Sequence, residues 1–233
     1  MPPKCRIPDG VRTVRKDLST WLWHFVRRDV NQAETVRAIL DGKRLKAMQA
    51  DHVSKAWVLC FTEAPLSECV RQDRVLADSA YTLFSLFGVG FRRRWLWAKG
   101  ALPVIYQPNT RLDELPEKQK WRHVEFDLSK PNPVDFTWQR EWRLNKVELE
   151  FSEKDVVLVI PDTDELKDHL WEYQVDPQVE EGQVVLYGAY LKRWNFIPLA
   201  YEKIESDANI EVCLAKDHTD IIPEEHNDVY DEL

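Results

Sequence analysis

Thr137-Trp138-Gln139-Arg140-Glu141-Trp142-Arg143-Leu144-Asn145 holds the most regular alternation of bulky and polar residues in this 233-residue chain. Period two marks a β-strand, because successive side chains leave opposite faces of the pleat. A strand over Trp138–Val147 puts Trp138, Arg140, Trp142 and Leu144 on an adhesive face. Gln139, Glu141, Arg143 and Asn145 make the other face wholly polar. A polar row flanked by tryptophans suits the wall of a cleft, where a carboxylate and a guanidinium two residues apart share a polar ligand. The same two side chains also fit a plain ion pair, which on an exposed strand is worth only ~0–1 kcal/mol.

Working outward, the segments on either side also read as strands. Trp57–Thr62 is a continuous apolar run without alternation, expected as a central strand buried on both faces. Lys154–Ile160 is β-branched and reads as a second buried strand, stopped by Pro161. Leu83–Phe91 holds Gly88 and Gly90 inside an aromatic run, which predicts a strand approached closely by another backbone. Trp21–Val26, Leu102–Tyr106 and Val184–Leu191 complete the expected strands.

The helices are short. Ala33, Val36, Ile39 and Leu40 follow a 3.6-residue period over Gln32–Leu40, with Asp41-Gly42 as the stop. Leu66–Leu76 predicts another helix, and Arg92–Ala98 a helix or turn broken at Gly100. Glu165–Trp171 predicts one more, capped by Thr163 or Asp164. Residues 109–133 read as loop. Many strands with few long helices imply an α+β fold, a mixed and mostly antiparallel sheet with short flanking helices. The expected organisation is one domain over residues 1–205 and an acidic tail over 206–233, where nine carboxylates face one lysine.

Composition narrows the function classes. With 44% hydrophobic residues the chain can bury a sizeable core. Ten tryptophans against seven glycines, without a period, argue against a repeat or fibre. A net charge of −8 argues against a protein held to DNA mainly by counterion release. Cys5, Cys60, Cys69 and Cys213 lack metal or disulfide-framework spacing, and the six histidines form no HxxxH or HxH, so no metal site is expected. No apolar h-region follows the start and no run approaches the ~20 apolar residues of a membrane span, so a cytoplasmic address is expected.

Four other polar elements stand out. His24 sits between Trp23 and Phe25, as either a hydrogen-bonded structural group or a catalyst. Thr62 and Glu63 end a buried strand, where sites tend to lie. Tyr81 follows Asp78-Ser79-Ala80 and either lines the same cleft or packs. Arg92, Arg93, Arg94 and Trp95, with Trp97 and Lys99, form a basic cluster interleaved with aromatics. Such a cluster is either a solvated face or a groove for nucleic acid.

Taken in order, His24-Phe25, Arg37-Ala38-Ile39-Leu40, Asp41-Gly42-Lys43-Arg44-Leu45, Cys60-Phe61-Thr62-Glu63 and Phe87-Gly88-Val89-Gly90-Phe91 lead to Gly100-Ala101-Leu102-Pro103-Val104-Ile105-Tyr106 and Trp138-Gln139-Arg140-Glu141-Trp142-Arg143. This series resembles a family of bacterial proteins associated with abortive phage infection, over about residues 20–161. The order His24, Tyr81, Glu141 is also similar to that of ADP-ribosyltransferases, including DNA-modifying toxins. That resemblance implies an ADP-ribosyltransferase or NAD glycohydrolase with NAD as substrate. It gives His24, with Phe25 and Thr62 beside it, the NAD ribose, and Tyr81 the nicotinamide. Glu141 would stabilise the oxocarbenium-like transition state, and Arg143 would orient Glu141 or a phosphate. The acceptor would be a nucleic acid or a protein. Two alternatives stand beside it: a nucleic-acid-binding effector using Arg92–Arg94, and a non-enzymatic sensor of a phage or antitoxin protein.

Overall fold

The computed structural model of the chain describes residues 19–28, 30–49, 55–76, 84–161, 173–175, 184–186 and 194–199. Tyr81, the helix expected at Glu165–Trp171 with its cap, the end of the strand expected at Val184–Leu191, and the acidic tail lie outside them.

The first strand, β1 (Trp21–Arg27), is the middle of the principal sheet. On one side it pairs antiparallel with β5 (Phe84–Arg92), then β11 (Val156–Pro161), then β14 (Asn195–Leu199). On the other side come β4 (Trp57–Thr62), β9 (Glu141–Leu144) and β6 (Leu102–Pro103), with β3 (Met48–Gln49) added to β4. Within this sheet every pairing is antiparallel except β11 with β14, which is parallel. The fold is therefore α+β with a mostly antiparallel sheet, as the strand-rich sequence predicts. The parallel edge strand β14 was not foreseen.

Helices cover both faces. On the first face, α1 (Gln32–Gly42) lays Val36 and Leu40, and α3 (Arg93–Lys99) lays Leu96, against Leu22, Val26, Phe61, Val89, Phe91 and Leu158. On the second, α2 (Leu66–Leu76) sets Leu66, Cys69 and Val70 against Trp21, Trp23, Val157 and Val159. α1 starts where the Asn31 side chain accepts the Glu34 N–H at 3.2 Å. It runs through Asp41 and Gly42, two residues past the predicted end at Leu40, and Lys43 takes the left-handed region at φ 47°.

The two glycines of β5 are required by packing. Gly90 lies opposite Trp23 and Val157, and a Cβ there would overlap the Trp23 ring. At Gly88 a Cβ would overlap the backbone carbonyl oxygen of His24. This is the close backbone approach expected from the sequence.

Two stretches differ from expectation. Leu102–Tyr106 is not one strand: Val104 breaks it into β6 and β7 (Ile105–Gln107), and β7 leaves the sheet to pair in parallel with β8 (His123–Glu125). Residues 109–133, expected as loop, contain β8 and two 3-10 turns, Asn109–Glu114 and Glu117–Arg122, each started after a proline. Two small antiparallel ribbons lie outside the sheet, β2 (Arg44–Lys46) with β10 (Glu148–Glu150) and β12 (Tyr173–Val175) with β13 (Val184–Leu186). Among the described residues no helix is long and apolar enough to cross a membrane.

Candidate functional site

The strand carrying Glu141 is shorter than the alternation suggests. Thr137–Gln139 forms a 3-10 turn, Arg140 takes φ 46°, and only Glu141–Leu144 is strand. Trp138 and Arg140 are thus not on the strand, and the two expected four-residue faces reduce to Trp142 and Leu144 inside and Glu141 and Arg143 on the polar side. Hydrogen bonds from the end of β4 hold the turn against the strand pattern. Thr62 Oγ1 donates to the Gln139 carbonyl at 2.6 Å, and the Glu63 N–H donates to the Arg140 carbonyl at 3.0 Å.

Strand pairing then fixes what surrounds Glu141. Thr62 lies opposite Glu141, and Cys60 opposite Arg143, so all four side chains share one face. The Glu141 N–H donates to the Tyr106 hydroxyl at 3.1 Å, and that hydroxyl lies 3.2 Å from the Phe136 carbonyl. Arg143 Nε donates to Glu141 Oε1 at 2.6 Å. Its Nη1 donates to the carbonyls of His123 at 2.9 Å and Trp121 at 3.2 Å. The two side chains of the pair are only 16% (Arg143) and 12% (Glu141) exposed. A charge-assisted bond this short and this sheltered is stronger than a surface pair.

Cys60 completes the cluster, within hydrogen-bonding reach of both charged side chains. Burial, then the charge of Glu141, push its thiol up to about 12 against the opposing pull of Arg143. Near neutral pH it is held as a protonated thiol. Burial likewise pushes the Tyr106 phenol up. Cys60 as a partner of the site and Tyr106 altogether were missed by sequence reasoning. The first reads as core within an apolar run, and nothing local to Tyr106 indicates that β7 folds back towards β9.

His24 does not join this group. Trp23 pairs with Thr62, so Trp23, Thr62 and Glu141 lie in one row across three strands, and His24 points to the opposite face. There its ring meets Phe61 at 5.8 Å, and Nδ1 donates to the Cys60 carbonyl at 2.8 Å. The expected convergence of His24 with Glu141 is corrected by the pleat: an even residue on β1 and an odd residue on β9 lie on opposite sides of the sheet. The residue keeps some surface exposure, but the imidazole is enclosed, and that burial lowers its pKa. Phe25 shares the face of Glu141 but packs against the cluster under α2. Thr62, expected to meet cofactor, has its hydroxyl committed to the Gln139 carbonyl and the Ala64 N–H.

A second carboxylate lies behind the strand. Glu63 pairs with Arg93 of α3 and accepts the Trp142 indole N–H at 2.8 Å. Arg93 is therefore held inside the protein, not offered to a phosphate. Trp95 stacks on Phe91 at 5.3 Å. Arg92 and Arg94 remain exposed. Among the described residues no group of three or more His, Cys, Asp or Glu side chains could hold a metal. Comparison with protein-family models, curated proteins and solved structures finds no match to this chain.

Proposed function

We propose that the chain is a phage-defence effector that binds NAD and cleaves its nicotinamide–ribose bond, passing ADP-ribose to an acceptor or to water. The observation that carries this reading is the Glu141–Arg143 pair. The guanidinium is anchored by two backbone carbonyls and in turn fixes the carboxylate at the start of β9. A carboxylate pre-set in this way can stabilise positive charge as it develops on a ribose ring, without reorganising during the reaction. Of the residues in the ADP-ribosyltransferase-like order, Glu141 and Arg143 are the ones this reading keeps. His24 has a structural role in this reading, since it holds β1 to β4 from the other face.

Nicotinamide release from NAD by the purified chain, with single-stranded DNA, RNA and cell protein supplied in turn as acceptors, tests the proposal. Glu141→Gln should lower the rate by at least ~100-fold, on the scale of losing one pre-set electrostatic group, while the circular dichroism spectrum stays native. His24→Gln should leave the folded protein active. A folded wild-type chain that releases no nicotinamide with any acceptor rules the proposal out, as does a folded Glu141→Gln variant with undiminished turnover.

A further inference from the structure

The segment Arg92–Lys99 has four cations and no carboxylate, although the chain as a whole is acidic. One cation, Arg93, is neutralised by Glu63. The others are exposed. The Arg92 guanidinium lies 3.9 Å above the Trp21 ring, and the Lys99 ammonium lies 4.9 Å above the Trp95 ring. Arg94 has no partner among the described residues. Three residues on, and so next to it along the helix surface, Trp97 is 56% exposed. Its ring rests edge-on against Trp142 at 6.3 Å, so the indole is held in place yet uncovered.

We infer that α3 and the end of β5 form a docking face for single-stranded nucleic acid. Phosphates match the exposed cations, two of which are held in position by the aromatic rings beneath them. The Trp97 indole supplies a flat platform on which an unpaired base can stack, a contact worth about 1–3 kcal/mol. A duplex hides its base faces and cannot use that platform, so the single strand is the form selected. The inference stands apart from the NAD reading, because it needs neither Glu141 nor turnover.

Fluorescence anisotropy with labelled 20-nucleotide poly(dT) and mixed-sequence RNA, at 50 and 200 mM salt and without NAD, tests it on the full chain. Binding should weaken with salt. Trp97→Ala should weaken it by about 5- to 100-fold, and Trp97→Phe, which keeps a ring, by much less. Arg94→Glu should weaken it and flatten the salt dependence. Trp57→Ala, at the far end of β4, should change nothing. The inference is overturned if neither oligonucleotide binds at 50 mM salt, if a folded Trp97→Ala variant binds like wild type, or if duplex DNA of the same length binds as tightly. Capture of a protein by this face, with no oligonucleotide binding, overturns it equally.

Discussion

His24 illustrates how strand register can separate residues that their order along the chain suggests should meet. The ring is desolvated beside Phe61, which favours the neutral form and lowers its pKa, while the Nδ1–H bond to the Cys60 carbonyl pulls the other way. The sign of the consequence follows directly. Below the unfolded value of about 6.5 the unfolded chain takes up a proton that the folded chain refuses. Stability from this group is therefore complete above about pH 6.5 and is lost as the pH falls from there towards the lower folded value. Urea denaturation at pH 7.5 and 5.5 should show a larger loss for wild type than for His24→Gln, by up to about 1.4 kcal/mol per pH unit. Equal losses would mean that the imidazole titrates alike in both states. Cys60 carries the same lesson from the other direction: a residue assigned to the core proves to touch both members of the charged pair.

At the scale of elements, β5 decides how closely the sheet can assemble. Its two glycines admit the Trp23 ring and the His24 backbone where any side chain would collide. Gly88→Ala should cost about 3 kcal/mol or more, because the obstacle is backbone and cannot move aside as a flexible side chain would. Chemical denaturation measures this, and a loss under 1 kcal/mol would show that β1 and β5 can separate locally. The strand β9 makes the converse point. Its alternation extends across residues that the hydroxyl of Thr62 and the amide of Glu63 capture into a turn, so hydrogen bonds from β4 override a pattern that looks regular in one dimension.

For the whole molecule, charge is divided sharply along the chain. Residues 206–233 account for all of the net −8, which leaves residues 1–205 with balanced charge. If α3 binds nucleic acid as inferred, nine carboxylates on the same chain would lower the local concentration of the oligonucleotide and slow its association, an effect that salt screens. Removing residues 206–233 should strengthen oligonucleotide binding several-fold at 50 mM salt and much less at 200 mM. Anisotropy reads both, and unchanged affinity at low salt would show that α3 does not feel the tail.

Sequence alone determined the longer helices and the central strands, because hydrophobic runs, helical periods and glycine placement are local properties. Trp57–Thr62 and Leu66–Leu76 have the bounds their residues predict, and Arg93–Lys99 ends at Gly100 as expected. It also singled out Glu141 with Arg143, since an i, i+2 pair on a strand shares a face by geometry. Tertiary structure alone decided which strands became neighbours. That choice placed Cys60 and Tyr106 beside the pair, committed Thr62 to a turn, locked Arg93 onto Glu63 and put His24 on the far side of the sheet. Pairing register is set by contacts between residues tens of positions apart, and one residue of register moves a side chain from one face to the other.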